Sequence, residues 1–256
     1  MTSDQDPTAR FDGREDDYDR YRPGYPEGMV RLLRERSILS NSTIVADIGS
    51  GTGILTAMLL RQGAAVYAVE PNARMRSKAE ARFKGEKNFF SVPKRAEETG
   101  LPGGSVDLVT AGQSFHWFEP LGCRREFIRI LRPGGWVMLV WNNRLDDRGD
   151  FNIAYERVLK KHHADDSRGM SDEELDRRIV DFFSGELERH DFDNCQQLDL
   201  EGLKGRLRSS SYCPRPGDPG FVPLMGDLDA LFHAHQMGGT VPMIYRTEVY
   251  LGKLMP

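Results

Sequence analysis

Nine residues, Val45-Ala46-Asp47-Ile48-Gly49-Ser50-Gly51-Thr52-Gly53, constrain this chain more than any other stretch. A β-branched and apolar run, Thr43 to Ile48, leads into the glycines and reads as a buried strand. Gly53 to Gln62 follows with helical spacing, and Gly63 stands where a helix ends. Gly49, Gly51 and Gly53 let the backbone reverse sharply and approach a ligand closely. The start of the next helix adds amide donors that have no partner within the helix. Strand, glycine turn and helix in that order open an alternating α/β fold with a nucleotide-like ligand at the turn.

The alternation continues. Strands are expected at Ala65 to Glu70, Asn88 to Val92, Val106 to Thr110 and Trp136 to Trp141, with helices at Asn72 to Lys84 and Leu121 to Leu131. Units of this size imply a parallel, doubly wound sheet covered on both faces. Ahead of them, residues 1 to about 22 read as a partly ordered acidic arm in which Asp16, Asp17 and Asp19 alternate with Tyr18 and Tyr21. Pro23 and Pro26 then introduce a helix over Glu27 to Leu39. Beyond Asn142 the pattern changes to charged amphipathic helices, Asp150 to His163 and Ser171 to Phe183. Two strand-like stretches follow, Glu186 to Phe192 and Gln196 to Leu200, then a loop from Pro214 to Pro223. A helix around Leu224 to Gln236 and a strand over Met243 to Leu251 close the chain. The expected organisation is an N-terminal arm and helix (1–40), an α/β core (41–142), and a C-terminal part (143–256) that completes the sheet and roofs the site.

Composition narrows the function. The 256 residues are 39% hydrophobic and 29% charged, which suits a folded globular chain. The net charge of −4 offers no general basic field for nucleic acid. No apolar run approaches the roughly 20 residues that span a bilayer, and the polar opening MTSDQDPTAR lacks a signal-peptide core, so no membrane contact and a cytoplasmic location are expected. Cys123, Cys195 and Cys213 are too scattered for a disulfide framework or a zinc site. His162-His163 and His233-x-His235 point to different sides of their helices, so no metal is expected.

Three further features follow the glycine turn. Glu70 ends the second predicted strand, 17 residues after Gly53, where a carboxylate can accept from both hydroxyls of a ribose. The plain alternative is a solvated charge at a strand end. Ala96-Glu97 follows the third strand; Glu97 is either an adenine contact or a surface carboxylate. Leu131-Arg132-Pro133-Gly134-Gly135 reads as a structural turn before the fifth strand.

These segments together, with LPGGSVDLVTAGQSFHWF, resemble the successive motifs of class I S-adenosylmethionine-dependent methyltransferases. More narrowly, Tyr21-Arg22-Pro23-Gly24-Tyr25-Pro26, Phe115-His116-Trp117-Phe118, Ser209 to Pro214 and Tyr245 to Tyr250 are similar to the small-molecule branch that includes trans-aconitate methyltransferase. The resemblance implies a Rossmann-like, mostly parallel seven-stranded sheet with a helical C-terminal insertion or cap. It implies S-adenosylmethionine as cofactor and a small-molecule acceptor, with a carboxylate or hydroxyl as the receiving group. Gly49, Ser50, Gly51 and Gly53 are then expected along the methionine portion, and Glu70 at the ribose beside Pro71, Asn72 and Met75. Ala96 and Glu97 fall at the adenine edge, although Arg95 stands where many relatives carry Asp. Gln113 and Ser114 fall near the transferred methyl. Tyr18, Tyr21 and Arg22 either close over the cofactor or form an anchoring patch. Tyr18, His116, Trp117, Ser211 and Tyr212 are the expected acceptor pocket.

A sulfonium is an activated leaving group, so the chemistry can rest on alignment and exclusion of water. His116 is the one candidate base; the alternative reading packs it between Phe115 and Trp117 as a shaper of the pocket. Two other functions compete. A nicotinamide oxidoreductase requires a small residue where Ile54 stands, and a non-catalytic nucleoside binder would use the same turn and Glu70.

Overall fold

The computed structural model describes residues 13–164 and 171–255. Of the acidic arm expected over residues 1–22, residues 1–12 lie outside the described residues, and Glu15–Tyr21 forms the first helix, α1. It is followed by α2 (Glu27–Glu35), β1 (Ile44–Ile48), α3 (Ile54–Arg61), β2 (Ala65–Val69), α4 (Ala73–Arg82), β3 (Phe89–Val92), β4 (Val106–Gly112), α5 (Pro120–Ile130) and β5 (Leu131–Arg144). The C-terminal part contributes α6 (Asp150–Lys161), α7 (Asp172–Phe183), β6 (Leu187–Leu198), α8 (Leu200–Arg208), α9 (Phe221–His235) and β7 (Val241–Gly252).

One seven-stranded sheet runs β3-β2-β1-β4-β5-β7-β6. The first five strands are parallel, and β7 lies antiparallel between β5 and β6. The fold is thus the expected doubly wound, mostly parallel sheet. The direction in which successive strands are added across the sheet reverses between β1 and β4, where sheets of this kind leave a crevice at the carboxyl ends of the strands.

Period-two alternation distributes each strand between two cores. Met138 and Val140 of β5 pack with Met29, Leu33 and Met58 on the face of α2 and α3. Val137, Leu139 and Trp141 pack on the other face with Phe127 of α5 and Phe182 and Phe183 of α7. A third cluster is built around Tyr155 of α6, Leu203 and Leu207 of α8, and Leu224 and Leu228 of α9, so these three helices form a cap with its own apolar centre.

Three expectations change. The stretches Glu186–Phe192 and Gln196–Leu200 are one strand, β6, paired with β7 from Leu187 to Leu198. Its charges, such as Arg189, Asp191 and Asp193, are tolerated because β6 is the sheet edge. The turn Arg132–Gly135 does not precede the fifth strand but loops out within it. Val106 pairs with Leu131 and Leu108 with Trp136, and Arg132 Nη1 reaches Asp107 Oδ1 at 2.7 Å. Finally, α9 starts at Phe221, with Pro223 in its first turn, where no amide hydrogen bond is forfeited.

Candidate functional site

The crevice opens above the ends of β1 and β4. Gly49, Gly51 and Gly53 all take positive φ, 65°, 58° and 84°. At Gly49 the requirement is double, because a Cβ there would lie 2.6 Å from Ser114 Cβ. Ser114 itself is fixed by donating from Oγ to the Ile48 carbonyl at 2.9 Å, tying the end of β4 to the glycine turn. Gln113, beside it, also has positive φ (59°), a conformation that costs a non-glycine residue energy and recurs at functional sites.

Glu70 follows β2 and is 8% exposed. Its Oε2 accepts from the Gly51 amide at 2.9 Å and its Oε1 from the Asn72 amide at 2.8 Å. Burial raises its pKa above the ordinary value, against the pull of those two amides and of Arg76. Asn72 in turn caps α4, its Oδ1 accepting from the amides of Arg74 and Met75 at 2.9 and 3.0 Å. One short relay therefore links the glycine turn, the carboxylate and the helix start. Beside it, the hydroxyls of Ser50 and Thr52 are buried without a hydrogen-bond partner among the described residues.

Two adjoining chambers share the glycine turn. The first encloses about 770 Å³, part of it open to solvent. Glu70, Pro71, Asn72 and Met75 form one wall, and Ala96, Glu97 and Trp117 face it. Glu97 accepts from the Glu119 amide at 3.0 Å; burial pushes its carboxyl up, but that amide, its own amide and Arg95 hold it below the ordinary value. Gly49, Gly51, Gln113, Ser114 and Tyr18 complete the lining from the candidate set, and Arg95, Gly112 and Phe118 join it from outside that set.

The second chamber, about 510 Å³ and also partly open, brings Arg22 and Ser50 together with Tyr18, Gly49, Gly51 and Gln113. It adds Tyr25, Asp47, Asn142 and Arg206, none of which the sequence singled out. Asp47 is fully buried; its two carboxylate oxygens accept from Thr56 Oγ1 at 2.6 Å and Thr110 Oγ1 at 2.9 Å. Burial nevertheless pushes its pKa up to about 6. Asp47 stands inside the nine-residue signature, so its place two residues before Gly49 was the signal for it. Arg206 and Asn142 come from distant elements and carry no motif.

Five candidates line neither chamber. Gly53 caps α3 against Phe83, whose Cε2 lies 2.6 Å from where a Cβ would stand. The Tyr21 ring packs on Gly205 of α8, and its carbonyl accepts from Gln196 Nε2 at 2.9 Å. His116 sits in a 3-10 turn, Phe115–Trp117, with its ring 4.5 Å from that of Trp117. Ser211 and Tyr212 are partly buried in the segment after α8, Tyr212 packing against the cap cluster. Among the described residues no group of three or more His, Cys, Asp or Glu is placed to hold a metal ion, and no helix is long and apolar enough to cross a membrane.

The comparisons with known proteins fall on the same elements. A model described as a methyltransferase domain matches residues 46–139, from β1 into β5. Over 196 residues the chain is 32% identical to uncharacterized methyltransferases of Mycobacterium bovis and Mycobacterium tuberculosis, covering 77% of this chain and 74% of theirs. Among solved structures, one provisionally named a type II methyltransferase, from Anaeromyxobacter dehalogenans, superposes with a TM-score of 0.68 at 20% identity, over 92% of this chain and 99% of that one. Another from Anabaena variabilis, provisionally named a methyltransferase of an antibiotic biosynthesis pathway, gives 0.58 at 24% identity, over 90% and 98%. At these identities the superpositions show a shared fold.

Proposed function

The chain belongs to the methyltransferase family and is an enzyme of that kind, and from that premise we propose that it transfers a methyl group from S-adenosylmethionine to a small-molecule acceptor by in-line displacement. The observation that carries the donor is the relay from the Gly51 amide through Glu70 to the Asn72 amide, set on the wall of the first chamber. The Ser50 hydroxyl, which has no hydrogen-bond partner among the described residues and lines the second chamber where it adjoins the glycine turn, fits a ligand lying across that turn, since a buried polar group without a partner is rare unless a ligand or water supplies one.

When bound, S-adenosylmethionine supplies a methyl group already activated on sulfonium. The residues of the chain bind, orient and exclude water. Glu70 accepts from the two ribose hydroxyls; Met75, Pro71, Ala96 and Trp117 enclose the base; Gly49, Ser114 and Gln113 hold the end nearest the second chamber. The acceptor enters that chamber, between the core and α8. His116 lines neither chamber, which favours its reading as a packing partner of Trp117 over that of a base. The likeness to the trans-aconitate branch rests on sequence segments alone, so the acceptor is proposed as a small molecule with a carboxylate or hydroxyl. The division into 1–40, 41–142 and 143–256 belongs to the same reading: donor in the middle part, acceptor beneath the last.

Calorimetry with S-adenosylhomocysteine tests the donor assignment. Glu70→Ala is expected to weaken binding by roughly ten- to a hundred-fold, the loss of hydrogen bonds to a charged group. Heat of binding with NADH and none with S-adenosylhomocysteine would overturn it.

A further inference from the structure

Two arginines meet in the wall of the second chamber, and among the described residues neither forms an ion pair. Arg206 comes from α8 and is 7% exposed. Its Nε donates to the Tyr245 hydroxyl at 3.1 Å and its Nη1 to Ser210 Oγ at 3.0 Å, which leaves Nη2 without a hydrogen bond to the described residues. Arg22, between α1 and α2, donates from Nε to Ser209 Oγ at 3.0 Å and from Nη2 to the Ser209 carbonyl at 2.8 Å. Among the described residues every hydrogen-bond partner of both guanidiniums is neutral.

The surroundings do not neutralise them. Among the described residues, the titratable groups that act most on the pair are tyrosines: Tyr18, Tyr25, Tyr155, Tyr212 and Tyr245. Arg144 faces two of these tyrosines, Tyr155 and Tyr212, but its charge is matched by Glu156 at 2.6 Å. Among the described residues Asp47 is the one acid lining the chamber, and its oxygens are turned to Thr56 and Thr110. The two cations also oppose each other: burial and then Arg206 lower the pKa of Arg22. Buried charges in proteins are normally paired. A chamber that keeps two of the same sign, one of them fixed by a tyrosine and a serine, is built to receive the opposite charge from outside.

We propose that Arg206 binds the acceptor through a carboxylate, so that the second chamber selects small organic anions over their neutral counterparts. The proposal rests on the methyl-transfer reading above and names its acceptor class. S-adenosylmethionine carries a sulfonium and an ammonium against one carboxylate, so its arrival adds positive charge to the site. Even if Arg22 takes the carboxylate of the donor, the Arg206 charge stays unmatched until an anionic acceptor enters. Arg206 is the specificity residue of that step, and α8 is the element that delivers it.

The experiment uses the full chain saturated with S-adenosylhomocysteine and titrated by calorimetry with benzoate and succinate, each against its neutral amide. Acids are expected to bind at least roughly ten-fold more tightly than amides, as a charge-assisted contact requires. Arg206→Gln should abolish that preference and leave the dissociation constant for S-adenosylhomocysteine within about two-fold, whereas Arg206→Lys, tested alongside in case the glutamine variant folds poorly, should keep part of it. Equal binding of acids and amides, or no acid binding to the loaded wild type at millimolar concentration, would overturn the proposal. So would an Arg206→Gln variant that loses S-adenosylhomocysteine and acids by the same factor, because the charge would then serve the donor. Failure of the wild type to bind S-adenosylhomocysteine at all would instead bring down the donor reading itself.

Discussion

At the scale of single residues, Asp47 shows how the glycine turn is paid for in folding energy. Its native pKa of about 6 lies above the 3.8 of an unperturbed aspartate, so the folded chain holds this proton more tightly than the unfolded one. That preference stabilises the native state fully below pH ~4 and disappears as pH rises through about 6. Asparagine is neutral throughout. The melting temperature of Asp47→Asn relative to wild type should therefore improve from pH 4 to pH 8, by the equivalent of roughly 3 kcal/mol at about 1.4 kcal/mol per pK unit. A difference constant across thermal melts at pH 4, 6 and 8 would reject this account. Gly49→Ala works through geometry alone: a positive φ and a Cβ 2.6 Å from Ser114 Cβ predict a loss of about 1–3 kcal/mol in urea unfolding, with S-adenosylhomocysteine binding weakened as the turn shifts. Gly49 and Glu70 were legible in the sequence because their roles are local, set by a strand, a turn and the next strand end. Arg206 was not, because only tertiary packing brings α8 over the sheet.

Among the elements, α1 has the least intrinsic reason to exist. It has seven residues, buries none of them, and is far too short to be stable alone. Its charges are matched on both sides instead. Glu15 pairs with Arg74 at 3.6 Å, Asp16 with Lys78, and Asp19 with Arg82 at 3.2 Å, all on α4. Asp17 takes both Nε and Nη2 of Arg208 on α8, at 2.8 and 3.1 Å. Tyr18, in the middle, lines both chambers, so α1 closes the site as a strap between core and cap. Exposed pairs of this kind are worth little singly and are screened by salt. Arg208→Gln should accordingly speed dissociation of S-adenosylhomocysteine several-fold in stopped-flow measurements, and the wild type should approach the variant as KCl is raised. Rates insensitive to both would show that α1 is no strap. The alternation of Asp and Tyr in this segment was visible in the sequence as a patterned arm, but its partners lie on α4 and α8 and could not be read from spacing. The single edge strand β6 was obscured for a related reason: an edge position excuses charges that a central strand would refuse.

For the molecule as a whole, the question is whether donor and acceptor chambers rest on one cooperative body. The cap is not appended to the sheet but threaded through it. Helix α8 lies in the chain between β6 and α9, and β7 returns to pair with both β5 and β6. Its register with β6 runs unbroken from Leu187 opposite Gly252 to Leu198 opposite Val241. Because α8 and α9 are inserted between the paired strands β6 and β7, unfolding the cap is expected to loosen the edge of the sheet as well. The three tryptophans, Trp117, Trp136 and Trp141, all precede residue 142, and none packs in the apolar centre of α6, α8 and α9, so their fluorescence reports the sheet and its near neighbours and not the cap helices. Circular dichroism at 222 nm also counts α6, α7, α8 and α9. Coincident denaturation curves by the two probes are expected, the mark of a single transition. S-adenosylhomocysteine at a hundred times its dissociation constant should then move both curves together by about 2.7 kcal/mol. If fluorescence alone responds and the dichroism curve splits, the cap folds independently, and the acceptor chamber is assembled only after the donor half is in place.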